Sequence, residues 1–379
     1  MSNNSQAASL DRRTVVGTLC RSEDGRIRCV ACGHRCLLAA GRRGICRVRF
    51  NDGGQLRVPF GYVAGGPASD PVEKKPFFHV HPGSDALTFG MLGCDFHCSY
   101  CQNWVTSQAL HDEAAAAPIL DVTPAQIVKA AQRTGARLIV SSYNEPLITA
   151  EWAVAVLQEA QRVGLPCAFV SNGNATPEAL DFLRPWIVAY KIDLKGFDDR
   201  RYRTLGGTLE HVTGGIRMVH ERGLWLEVVT LLVPGFNDSG EELRAMAKFL
   251  VSVSPGIPWH VTAFHPDYKM TAATATTARQ LMRAAEIGVE EGLRFVYAGN
   301  LPGRVGPWEN TFCPQCRTVL VERAGYVLKQ YCITGEGKCP KCRMTIPGLW
   351  PGGGVADVRL GDAAMDWLAR RPRRVQPGV

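Results

Sequence analysis

The segment Gly93-Cys94-Asp95-Phe96-His97-Cys98-Ser99-Tyr100-Cys101-Gln102-Asn103 packs three thiols into eight residues and has no fourth cysteine nearby. A loop this short can close around only one inorganic group. A [4Fe–4S] cluster normally takes four cysteines, so three thiolates hold three corners of a cubane and leave one iron open. An open position is what separates catalytic from closed structural metal sites. Two plainer readings are a three-cysteine zinc site with a remote fourth ligand and a set of buried, unliganded thiols. The segments downstream weigh against both.

The rest of the chain has the size and patterning of an enzyme. Its 379 residues can form one barrel of roughly 200–250 residues plus appendages. No run of about 18 apolar residues is present to span a bilayer, and the start Met1-Ser2-Asn3-Asn4-Ser5-Gln6 lacks a charged and an apolar leader region. A cytoplasmic location without a membrane partner is expected. Fourteen cysteines in a secreted chain would suggest disulfides, but these fall into clusters at metal-ligand spacing, which in a reducing compartment favours metal sites. The net charge is +8, with much of the excess in Arg42, Arg43, Arg47 and Arg49 and in the tail Arg370-Arg371-Pro372-Arg373-Arg374. A solvated basic tail accounts for the last group, and charge alone gives little support to a nucleic-acid or acidic partner.

Cysteine placement divides the chain into an N-terminal extension with a four-cysteine metal site (1–84), a barrel (85–300), a zinc-ribbon-like segment (301–350) and a flexible basic tail (351–379). In the barrel part, β-rich apolar runs are expected as strands at Ala86–Leu92, Arg137–Ser142, Pro166–Ser171, Ile187–Leu194, Trp225–Val233, His260–Phe264 and Arg294–Tyr297. Helical patterns fit between them. Asp121-Val122-Thr123-Pro124 reads as a helix start with Pro in the first turn, and Trp152, Val156 and Val163 recur at helical spacing before Gly164, a C′ residue. Repeated βα units imply a parallel sheet, and hence an α/β fold, a complete or partial TIM-like barrel with its active face at the C-terminal strand ends.

The C-x3-C-x2-C spacing with an aromatic before the third cysteine resembles the signature of the radical S-adenosylmethionine (SAM) enzymes, whose open iron is chelated by the amino and carboxylate groups of SAM. Polar residues at the later strand ends then become candidates to surround SAM. Asn144 and Glu145, in Ser142-Tyr143-Asn144-Glu145-Pro146, could hydrogen-bond its ammonium, or simply stabilise a turn. Ser171-Asn172-Gly173-Asn174 ends the third strand. Asp193 and Lys195 alternate on one face after the fourth, where Lys195 pairs either with the SAM carboxylate or in a salt bridge at the rim. His265 follows the sixth strand, as a SAM contact or a structural residue.

The middle part looks like the branch related to pyruvate formate-lyase activating enzymes, through Ser171-Asn172-Gly173, Asp193-Leu194-Lys195 and His265; by the same resemblance Tyr100 contacts adenine. Over nearly its whole length the chain more closely resembles the AmmeMemoRadiSam-system radical SAM enzymes, through Cys29-Val30-Ala31-Cys32-Gly33-His34-Arg35-Cys36, Glu73-Lys74-Lys75-Pro76-Phe77-Phe78-His79, Tyr143-Asn144-Glu145-Pro146, Val233-Pro234-Gly235-Phe236-Asn237-Asp238 and the terminal cysteine pairs. Cys20, Cys332 and the Arg-rich extension beyond Pro351 depart from that family. The resemblance implies a [4Fe–4S] cluster held by Cys94, Cys98 and Cys101, reductive cleavage of SAM, and hydrogen abstraction from a partner protein or small molecule. It also implies an electron donor such as flavodoxin or ferredoxin, and Memo-like and AMMECR1-like partners. It names no catalytic residue for the second half-reaction.

The flanking clusters are read from spacing. Cys29, Cys32, Cys36 and Cys46 form C-x2-C-x3-C-x9-C, four thiols for zinc or for a second iron–sulfur cluster. Cys313-Pro314-Gln315-Cys316 and Cys339-Pro340-Lys341-Cys342 read as a zinc ribbon, with Cys332 in the long intervening loop as a substitute ligand. Cys167 reads as a buried small hydrophobe. Three function classes follow: a radical SAM enzyme acting on a protein or small molecule, an activase that installs a glycyl radical on a separate enzyme, and a non-catalytic metal-binding or RNA-interaction protein.

Overall fold

The computed structural model describes residues 3–361 and 373–376. Seven parallel strands form its centre: β1 (Asp85–Phe89), β2 (Leu138–Ser141), β3 (Cys167–Ser171), β4 (Ala189–Asp193), β5 (Trp225–Leu232), β6 (Trp259–Ala263) and β7 (Val296–Gly299). They lie in sequence order and are parallel at every step. The sheet is open, so the barrel is a partial TIM-like one. All seven expected strands are present at shifted ends. Their near-continuous apolar runs suit strands covered on both faces, as shown by the fully buried Leu138-Ile139-Val140 in β2.

Crossover helices connect the strands. α1 (Pro124–Thr134) starts where the sequence placed it, with Thr123 and Gln126 in a reciprocal capping box and Pro124 in the first turn. It stops at Gly135, whose φ of 68° is left-handed. α2 (Ala150–Arg162) ends before Gly164, also left-handed at φ 72°. The other crossovers are α3 (Pro177–Leu183), α4 (Leu209–Glu221), α5 (Gly240–Val253) and α6 (Ala278–Glu290). No helix among the described residues is long and apolar enough to cross a membrane.

Two features escaped the sequence reading. Ala68–Pro71 adds an antiparallel strand beside β1, and the tail, expected to be flexible, places Arg373–Arg374 antiparallel to Ala68 and Ser69. The reason is that an edge strand presents unpaired N–H and C=O groups to whatever chain lies alongside. Residues 362–372 and 377–379 lie outside the described residues.

Both appendages are tied to the barrel through buried polar contacts. Arg49, counted in the positive excess, is buried and grips Glu151 of α2 through two contacts, 2.7 and 2.8 Å. Glu151 also accepts from the Thr18 and Leu19 amides. On the other side, the hairpin Val319–Ala324/Val327–Tyr331 buries Arg323, which donates to the Phe78 carbonyl at 2.9 Å and to Thr311 Oγ1 at 2.8 Å. His79 links barrel and ribbon: its Nδ1–H donates to the Pro347 carbonyl at 2.7 Å, leaving Nε2 to accept from the Tyr297 hydroxyl at 2.6 Å. Burial favours that neutral ring and holds its pKa down at about 4.

Candidate active site and metal centres

The Cys94–Cys101 loop follows β1 and opens on a cavity of about 720 Å³ at the C-terminal strand ends. Cys94, Cys98 and Cys101 line it, together with Tyr100, Asn144, Glu145, Ser171, Asp193, Lys195 and His265, so one cavity brings together every residue the sequence placed around SAM. The loop is shaped by local bonds. The Phe96 amide points at Cys94 Sγ (3.4 Å) and Ser107 Oγ lies 3.1 Å from Cys101 Sγ. Burial pushes the Cys98 thiol up to about 12; a bound metal would reverse this, since ligation requires thiolate.

Glu145 is buried and already engaged. Its carboxylate accepts from Ser171 Oγ and the Asn172 amide, both at 2.7 Å, and from the Leu147 amide at 3.0 Å. Burial beside Asp95 raises its pKa. Asn144 Oδ1 accepts from the Met91 amide at 3.0 Å. These two residues therefore position the loops after β1 and β3 as well as facing the cavity. Gly173 makes the turn after β3 possible, at φ 79° and with no room for a Cβ, which would lie 2.6 Å from Ile192.

Asp193 ends β4 and receives both Lys191 and Lys195, the latter at 3.1 Å. Burial opposes the carboxylate charge, but the two ammonium groups outweigh it and hold Asp193 at about 2. Burial also disfavours the Lys195 charge, and Asp193 with the nearby Cys98 thiol raises it again. His265 stands at the exposed mouth, its Nδ1 2.9 Å from Gln102 Nε2. The Tyr100 hydroxyl is buried with no hydrogen-bond partner. Such an orphan is costly unless a ligand completes it, and with three thiols and a lysine on one wall the cavity fits a cluster bearing an amino-acid cofactor.

The sequence reading missed several residues here. Asp95 accepts from Asn172 Nδ2 (2.7 Å) and Asn174 Nδ2 (2.8 Å) and so fastens the cysteine loop to the end of β3. Lys75 is buried against Asp70 at 2.7 Å, with Tyr143 left-handed at φ 73° beside them; burial lowers its pKa to about 8. The strings Glu73–His79 and Tyr143–Pro146 were noticed, but nothing in them reveals which side chains face a cavity. Gly325 and Tyr326, at the tip of the ribbon hairpin, also line it.

At the C-terminal site the ligand atoms of Cys313, Cys316, Cys339 and Cys342 all lie within 4.8 Å of one another. Cys313 Sγ is 3.5 Å from Cys342 Sγ and Cys316 Sγ is 3.6 Å from Cys339 Sγ. Zn–S bonds of about 2.3 Å place tetrahedral sulfurs about 3.8 Å apart, so the quartet fits one ion. The two knuckles repeat each other: Arg317 and Arg343 are both left-handed, at φ 60° and 64°, and their amides each donate to the carbonyl of the first cysteine of the pair at 3.0 Å. Cys332 stands outside this quartet, within reach of Gln330 Nε2. Among the described residues no other set of three or more ligand atoms converges this tightly, so the central three and the N-terminal four thiols are spaced more widely.

Residues 89–250 match the radical SAM superfamily. An uncharacterized protein of Methanocaldococcus jannaschii is 35% identical over 324 residues, 85% of this chain and 94% of that protein. Isethionate sulfite-lyase activating enzyme of Oleidesulfovibrio alaskensis is 26% identical over 136 residues, 35% of this chain and 43% of that enzyme. A solved domain of pyruvate-formate lyase-activating enzyme from Bacteroides vulgatus aligns with a TM-score of 0.38 at 21% identity, covering 42% of this chain and 98% of that one. The three-thiol loop, its cavity and the family match leave no place for the non-catalytic reading: this chain belongs to the radical SAM superfamily and is a SAM-dependent enzyme.

Proposed function

We propose that the protein is a radical SAM enzyme of the AmmeMemoRadiSam type, acting on a partner protein or small molecule. The observation that carries the reading is one cavity lined by the three loop cysteines together with Asp193, Lys195 and Tyr100. Cys94, Cys98 and Cys101 would hold a [4Fe–4S] cluster. When bound, the cluster and SAM supply a 5′-deoxyadenosyl radical that takes a hydrogen from the substrate. Lys195 meets the SAM carboxylate, Tyr100 the adenine, and Asn144 and Glu145 hold the strand-end loops at the ammonium. Ser171 fixes Glu145, and His265 covers the mouth. The ribbon tip and Lys75 enclose the remaining space, where substrate would lie. An electron donor such as flavodoxin or ferredoxin is required, and Memo-like and AMMECR1-like proteins are proposed as partners. Zinc is proposed for the C-terminal quartet, and zinc or a second iron–sulfur cluster for Cys29, Cys32, Cys36 and Cys46.

The test is reductive SAM cleavage by anaerobically reconstituted protein, with Cys94, Cys98 and Cys101 replaced together by Ala. The variant is expected to lose cleavage and the SAM-responsive cluster signal while keeping its zinc. Cleavage by the variant would overturn the assignment. A second reading, a glycyl-radical activase, is favoured by the partial similarity to isethionate sulfite-lyase activating enzyme. A glycyl-radical signal raised in an enzyme encoded beside this gene would establish it.

A further inference from the structure

The N-terminal thiols stand against the catalytic loop. Gly93, next to Cys94, is left-handed at φ 94°, and a Cβ there would lie 3.3 Å from the Cys46 carbonyl and 2.8 Å from Val48. Backbone dimensions then place the Cα atoms of Cys46 and Cys94 within about 11 Å of each other. His34 Nε2–H donates to the Asp95 carbonyl at 3.1 Å, and the Gly33 amide donates to the Asn174 carbonyl at 2.9 Å. Asn174 is the residue that holds the Asp95 carboxylate. The stretch between Cys32 and Cys36 is therefore bonded to the residue following Cys94 and to its support.

The N-terminal sulfurs, like those of the loop, do not converge within 4.8 Å of one another as the four ribbon sulfurs do. A cubane places each thiolate on a different iron, so wider spacing suits it. Charge adds the last observation. Of the ten arginines in residues 1–50, Arg13, Arg21, Arg28, Arg35, Arg43 and Arg49 are ion-paired, so the charges that stand outside these pairs beside the cysteines are Arg42 and Arg47. Ile45, between two of the cysteine ligands in space, is 46% exposed, with Arg42 and Arg47 exposed on either side of it and Arg43 half-buried.

We propose that Cys29, Cys32, Cys36 and Cys46 hold a second iron–sulfur cluster that relays electrons to the SAM-binding cluster from an acidic, low-potential flavin or iron–sulfur carrier protein docked over Ile45. This rests on the radical SAM reading of the cavity. One electron leaves the reduced carrier, reduces the second cluster and passes on to the cluster of the loop; the carrier is oxidised by one electron, and no bond or proton changes place. Zinc cannot perform this, having no redox chemistry. The arginine surface would steer an acidic carrier and raise its association rate by about 10–1000-fold at low salt.

The test uses the full chain reconstituted anaerobically, with reduced flavodoxin as the carrier probe and dithionite as a small reductant that needs no docking. The wild type is expected to bind about twice the iron and sulfide of a Cys32→Ser/Cys36→Ser variant. That variant should still be reduced by dithionite at its remaining cluster but lose reduction by flavodoxin. Arg42→Glu/Ile45→Glu, which leaves every cysteine in place, should keep both clusters and slow flavodoxin reduction at least about tenfold at low salt, the gap closing as salt rises. Zinc in place of iron at the N-terminal thiols, or undiminished flavodoxin reduction of the cysteine variant, overturns the proposal. Failure of the wild type to cleave SAM with dithionite would instead overturn the enzyme reading, while iron content and cluster reduction still report on the relay.

Discussion

The two flanking cysteine sites use the same four ligands in opposite ways. The C-terminal quartet closes on itself: its sulfurs converge, its two knuckles mirror each other, and its hairpin reaches the cavity only through Gly325 and Tyr326. The N-terminal four remain spread, and their carrier segments touch the residues on both sides of Cys94. A closed site stabilises a small segment that has little core of its own; a site pressed against the catalytic loop can communicate with it. Identical ligand chemistry therefore says less than what the ligands are packed against.

The largest expected effect breaks the C-terminal side of that comparison. Structural zinc in finger peptides is bound with roughly 10–16 kcal/mol at neutral pH, more than such a segment's folding free energy. Cys339→Ser/Cys342→Ser should remove the zinc proposed for this quartet and abolish hydrogen-exchange protection across 311–350, with the iron of the loop cluster retained. Loss of iron as well would mean that the ribbon is not an independent closed site.

The N-terminal side is held by Arg49 and Glu151. Removing one partner of a buried pair costs about 3–5 kcal/mol, so Arg49→Met should lower unfolding stability by that amount in urea and loosen the metal proposed for the N-terminal thiols. A change within about 0.5 kcal/mol would show that the extension is anchored elsewhere.

Between the two sites, Lys195→Ala should weaken SAM binding without loss of the cluster. Hydrogen bonds to charged groups are worth roughly 1.5–3 kcal/mol, so the dissociation constant should rise about 10–100-fold. A lower melting temperature with unchanged SAM affinity would make the lysine a rim salt bridge only.

The smallest effect is an acid one. The Asp193 carboxyl is held at about 2, below its ordinary 3.8; its stabilisation is present above the ordinary value and is lost as pH falls through the lowered one. Acid unfolding between about pH 4 and pH 2 should therefore be steeper in the wild type than in Asp193→Asn. Identical acid profiles would remove Lys191 and Lys195 as the cause.

Much of this molecule was legible in the chain itself. Apolar runs with β-branched residues marked the seven parallel strands, Thr123-Pro124 and Gly164 marked helix ends, and the paired cysteine spacing marked the C-terminal quartet that converges in the fold, because each is set by neighbours in sequence. The residues expected around SAM line one cavity because strand ends of a parallel barrel converge on one face whatever the detailed packing. Asp95 was not found, since its role comes from partners far along the chain, Asn172 and Asn174; Lys75 and Asp70 are near neighbours in sequence, but only the fold brings Tyr143 against them. Arg49 was counted in the positive excess, and only the fold supplies the buried Glu151 that neutralises it. Spacing alone likewise left the two four-cysteine sites alike. Tertiary structure separated them, by drawing one set of sulfurs together around a single centre and setting the other against the catalytic loop.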